Sequence, residues 1–95
     1  MSDLTLRRTY ARVRRVIAND VGLPGPASVR GAMALASPPL KYDADGMRAL
    51  AALLRAEFTV PGIPLSKADV INAGTVLGLQ QRVWAQVKDA AGGGS

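Results

Sequence analysis

The chain has 95 residues, which accommodates one domain of the usual ~50 to 250 residues and leaves no room for a second core. It contains no cysteine and no histidine, which excludes disulfides, thiolate chemistry, the usual zinc sites and imidazole acid–base catalysis together. Twelve Lys and Arg against seven Asp and Glu give a net charge of +5, a balance that favours anionic partners and is silent about fold.

Hydrophobic residues make up 48% of the chain but aromatic ones only 4%, so a core must be assembled from Leu, Val, Ile, Met and Ala. No run of about 18 apolar residues is present, and the opening "MSDLTLRRTYARVRR" is amphipathic, without the apolar stretch of a signal peptide. A cytoplasmic monomer without a transmembrane segment is the expectation.

The first periodic segment has Leu6, Tyr10, Val13 and Ile17 at spacings of four, three and four, which predicts a helix over roughly 4–19. Ser2 or Thr5 is suited to cap its start, and Gly22 followed by Pro24 suits its end. "VGLPGPASVRGAMALASPPLKYD" then reads as a long connection rich in Pro and Gly, too apolar to be disordered. A short helical turn is expected within "SVRGAMALA", directing Val29, Met33 and Leu35 toward the core.

A second helix places Met47, Leu50, Leu54 and Phe58 on one face, with Ala51 and Leu53 flanking it. Asp43 or Asp45 is its expected cap, and "VPGIP" ends it because proline cannot continue a helix. "SKAD" matches a capping box, so Ser66 opens a short third helix ending near Asn72. Thr75 caps a last helix through Val76, Leu79, Val83 and Val87, with Trp84 beside the stripe. The expected organisation is one all-α domain over 1–90 and a flexible Gly-rich tail over 91–95. Leu50, Leu54, Phe58, Val13, Ile17, Leu79 and Val83 should be buried together.

This order resembles the acyl carrier protein family over nearly the whole chain. "VRRVIANDVGL" is similar to the family's first helix and its exit, "DADGM" to its aspartate–serine–leucine motif, "LLRAEFTVPGIP" to the end of its second helix, and "INAGTVLGLQQRV" to its closing segment. The resemblance implies a four-helix bundle of three main helices and one short helix, with a long first loop. It also implies a serine at the start of the second helix, esterified by 4'-phosphopantetheine, whose thiol carries acyl chains.

That serine is missing in either alignment of the motif. Aligned on "DADGM" itself, Asp45 takes the aspartate position, Gly46 the serine and Met47 the leucine. Aligned without gaps from Glu57 and Phe58, Asp43 takes the aspartate and Ala44 the serine. The first register is preferred, because the second puts Asp45 at a buried leucine position and Arg48 at an apolar one. Ser37 lies before two prolines that favour extended backbone, Ser28 lies in the loop, and Ser66 is accounted for as a cap, so none replaces the missing hydroxyl. No prosthetic group is therefore expected, although the family uses one.

A second departure is charge. The family's second helix is usually acidic, whereas this one carries Arg48 and Arg55 on its exposed side, and the first helix adds Arg8, Arg12 and Arg15 opposite its apolar stripe. These five arginines are the candidate docking face for an acidic protein partner, set against the plainer reading of a solvated face.

The foremost functional expectation is a carrier-like module without phosphopantetheine, acting through protein binding in or near fatty-acid, polyketide or lipid metabolism. One alternative is a genuine carrier with its serine replaced artificially, although a single replacement would leave the rest of the motif and an acidic helix intact. Another is a basic helical module for nucleic acid or anionic membrane, disfavoured for nucleic acid by few aromatics and no recognition helix. No catalytic residues, no metal and no enzymatic role are expected. An apolar ligand between the helices would need a pocket at Met33, Leu50 or Leu54, residues that are otherwise simply core.

Overall fold

The computed structural model describes residues 5–38, 40–59 and 62–91. Ser2 as an alternative cap, part of "VPGIP" and the end of the Gly-rich tail lie outside them. Four α-helices follow in order: α1 (Leu6–Val21), α2 (Ala44–Glu57), α3 (Lys67–Ala73) and α4 (Val76–Ala91). The described residues form no β-strand beyond one isolated antiparallel bridge between Ala34 and Thr75.

Local chemistry accounts for each helix boundary. Thr5 is extended, and its side chain accepts the Arg8 amide, so α1 starts at Leu6. Gly22 ends α1 in the left-handed region at φ 80°, where a side chain would be strained, and α1 runs two residues further than its periodicity predicts. The Ser66–Asp69 capping box forms in full at α3, and the Thr75 hydroxyl accepts the Gly78 amide at the start of α4.

Val13, Ile17, Leu50, Leu54, Phe58, Leu79 and Val83 lie in one buried cluster, together with Leu65, Val70, Val76 and Val87. Ala51 is buried in it as well, but Leu53, expected beside it on the flank of the stripe, is exposed. Met33, Met47 and Trp84 pack against the cluster from its edge. Leu50 and Leu54 are fully buried there. The radius of gyration, 12.5 Å, matches the ~12 Å of a single folded unit of this length.

The long connection is fastened rather than loose. Its helical turn is a 3-10 turn at Pro26–Ser28, earlier than "SVRGAMALA" suggested, because Pro26 fixes the first position. Val29 and Leu35 are buried, as expected. The backbone beyond the turn pairs with the α3–α4 junction: the Leu35 amide donates to Gly74, the Val76 amide to Met33 and the Leu77 amide to Gly31. No helix among the described residues is long and apolar enough to cross a membrane.

Candidate functional site

Two neighbouring regions hold the predicted site residues: the start of α2, and the seam where α2 lies along α1.

At the start of α2, Asp43 is the cap. Its backbone is extended and its carboxylate accepts the Gly46 amide at 2.6 Å, while its own carbonyl accepts the Met47 amide at 2.9 Å. Ala44 is therefore the first helical residue, and it is exposed. Asp45 lies in the first turn with its side chain 88% exposed, reaching only toward Arg48 at 3.9 Å, and does not cap the helix. Such an acid near a helix N-terminus is modestly stabilised by the helix dipole.

Of the two aspartates, Asp43 is therefore the cap and Asp45 a residue of the first turn. A first helical position beside its aspartate belongs to Ala44 and Asp43, not to Gly46 and Asp45. Gly46 supplies the amide that the cap satisfies, and a Cβ there would stand 3.0 Å from the Asp43 Oδ1 and 3.2 Å from the Tyr42 ring. A side chain at this position would ask the cap or the ring to give by a few tenths of an ångström. Met47 is partly buried and faces the core.

Tyr42 anchors this corner from behind. It is 7% exposed, and its hydroxyl donates to the Asp20 carboxylate near the end of α1 at 2.8 Å. Burial first, and then the hydrogen bond and charge of Asp20, push its ionisation far above the ordinary tyrosine value, so it remains a neutral donor. Sequence reading did not single out either residue, since nothing local links positions 20 and 42.

Along the seam, Arg12 donates from Nε to the Glu57 carboxylate at 2.8 Å and from Nη2 to the Glu57 carbonyl at 2.9 Å. Its guanidinium also lies 4.9 Å from the Phe58 ring centroid. Arg15 adds a contact from Nη2 to the same carboxylate at 3.2 Å. With Asp20 bound to Tyr42 at the other end, these ties set α1 and α2 in opposite directions. Arg12 and Arg15 were expected on a docking face or, more plainly, a solvated one. Arg12 ties α2 to α1 and satisfies a carbonyl at the end of α2 that has no partner within the helix, while Arg15 keeps most of its side chain in solvent.

Arg55 also serves the fold, donating from Nη1 to the Leu65 carbonyl at 2.6 Å. Arg8 and Arg48 remain on the surface as predicted. Of the five arginines, Arg12, Arg15 and Arg55 thus also make contacts within the fold.

Below the Arg12–Glu57 contact, α1 and α2 leave an open groove of about 480 Å³, lined by Val16, Asn19, Asp20, Leu53, Ala56 and Glu57. Leu53 is 42% exposed at its edge. A second depression of about 390 Å³ lies between α3 and α4 and is lined mainly by short and polar side chains, among them Asn72, Gln81 and Arg82. No cluster of acidic side chains among the described residues is arranged to hold a metal ion.

Comparison of this chain with known protein families, with curated proteins and with solved structures finds no match.

Proposed function

We propose that this chain is an acyl carrier protein-like bundle that works by binding other proteins and carries no prosthetic group. The observation supporting this reading is the start of α2, where an exposed first helical residue stands beside a capping aspartate and bears a methyl group instead of a hydroxyl. Attack on coenzyme A requires an oxygen nucleophile at that position, and Ala44 has none. The helix order, with its long first connection and short α3, agrees with the resemblance. Asp45 and Arg48 depart from it, since both are exposed at positions that the family fills with apolar residues. A role in the cytoplasm, close to acyl-chain-building or lipid-modifying enzymes, belongs to the same reading, and genes for such enzymes beside this one would favour it.

The test uses a broad-specificity phosphopantetheinyl transferase, coenzyme A and intact-mass measurement. The natural chain should keep its mass, and Ala44→Ser should gain one phosphopantetheine group. Gly46→Ser should not, because its Cβ would crowd Asp43 and Tyr42. Arg48→Glu added to Ala44→Ser should speed the reaction if the basic helix repels the transferase. If folded Ala44→Ser stays unmodified with and without Arg48→Glu, the carrier reading fails. Modification of Gly46→Ser alone would favour the register that aligns Asp45 and Gly46.

A further inference from the structure

The groove between α1 and α2 has an unusual composition for a solvent-facing cleft. Its α2 wall is Leu53 and Ala56, preceded a turn earlier by exposed Ala49, and its α1 wall begins with half-buried Val16. An outward helix flank is ordinarily polar. Leu53, left 42% exposed in the middle of this wall, has no role in the core. The groove is open along its length, whereas a small-ligand site encloses most of its ligand. An open trough between two helices is suited to a third helix laid into it.

Charge decides what kind of helix. At one end Arg12 and Arg15 converge on the single carboxylate of Glu57, and Arg15 keeps 55% of its side-chain surface exposed. At the other end Asp20 holds the negative sign while accepting from Tyr42, with Asn19 beside it. The trough thus combines apolar Val16, Leu53 and Ala56 with polar Asn19 and Asp20, and at its Glu57 end two arginines face one carboxylate.

We infer that this groove docks an amphipathic helix of another protein, with apolar side chains against Val16, Leu53 and Ala56 and an acidic flank against Arg15. The inference rests on the proposed role as a protein-binding module and names the chemistry of the partner. Apolar contact supplies the affinity and the arginines set direction and encounter rate, so binding should weaken with salt without vanishing.

Fluorescence anisotropy of labelled synthetic helical peptides against the full chain tests it. Three peptides are needed: one with a leucine stripe and glutamates on its flank, one with the same stripe and lysines, and one acidic peptide with the stripe scrambled. The first should bind, and the other two at least about tenfold more weakly, a difference of about 1.4 kcal/mol. Leu53→Asp and Arg15→Glu, both at exposed positions, should each reduce binding of the first peptide by about tenfold or more while circular dichroism stays unchanged. The inference falls if the acidic peptide does not bind, if the scrambled peptide binds equally, or if neither substitution matters. It also falls if sedimentation shows the chain dimerising through Leu53, since the occupant would then be a second copy. Binding of duplex DNA that is lost in Arg15→Glu but kept in Leu53→Asp would overturn it in favour of a phosphate-binding face. None of these results depends on Ala44, so failure here is separable from failure of the transferase test.

Discussion

Helices α2 and α3 begin alike and are secured differently. Each starts after an extended residue whose side chain accepts an amide three positions on. At α3 the arrangement is reciprocal: Asp69 accepts the Ser66 amide in return, accepts from Gln86 at 3.2 Å and lies 3.7 Å from Arg82, so the cap is bound into α4. At α2 Asp43 works alone, Ala44 and Asp45 face solvent, and among the described residues the polar tie to a neighbouring helix comes from Tyr42 behind the cap. The start of α3 is thus tied on both sides, whereas that of α2 leaves Ala44 and Asp45 exposed.

Substitutions test this contrast at decreasing scale. Leu54→Ala, in the core that both helices share, should cost ~2 to 5 kcal/mol and unfold a marginal domain, read as a lower urea midpoint. A loss under about 0.5 kcal/mol would mean that this face of α2 is not the core the contrast presupposes. Next, Gly78→Ala should cost ~1 to 3 kcal/mol, because its Cβ would run into the Ala73 carbonyl oxygen, a backbone atom at the α3–α4 junction.

The caps come next. Asp69→Ala should cost ~1 to 2 kcal/mol, and Asp43→Ala ~1 kcal/mol or less, since only the first also strands partners on α4. A larger loss from Asp43→Ala than from Asp69→Ala would invert the comparison. The smallest effect is in pH. The Ser66 amide, the largest influence, holds the Asp69 carboxyl below its ordinary range; partial burial opposes this, while Gln86, the Ser66 hydroxyl and Arg82 reinforce it. A carboxyl depressed in the folded state stabilises fully above its unfolded value, and that contribution is lost as pH falls through the folded one. Asp69→Asn should therefore flatten the acid limb of a stability–pH curve. An unchanged acid limb would show that Asp69 acts by shape alone.

The sequence carried what is local. Thr5, the Ser66–Asp69 box and Thr75 are caps at fixed short spacings, and the apolar stripes repeat with the helix itself, so caps, core and helix order were all legible. The start of α2 was not. "DAD" offers two aspartates, either able to cap, and the choice goes to the one beside Tyr42, whose tether to Asp20 spans 22 positions. The pairing of Arg12 and Arg15 with Glu57 spans 45 and 42 positions, so no local pattern links these residues. The fastening of the long connection uses backbone groups, which every residue has, so no side-chain pattern announced it.

That fastening has a kinetic consequence. The Leu35–Gly74 and Met33–Val76 hydrogen bonds join parts of the chain separated by the whole of α2 and α3. The entropy of closing so long a loop is lost before the bonds form, whereas each helix can assemble from neighbours. They should be late events, making this chain a slower folder than a bundle of simple hairpins with the same helix content. Once made, they enclose the amides of Leu35 and Val76 at the centre of the molecule, both on buried residues. In deuterated water these two amides should be among the last to exchange, opening only when the whole domain does.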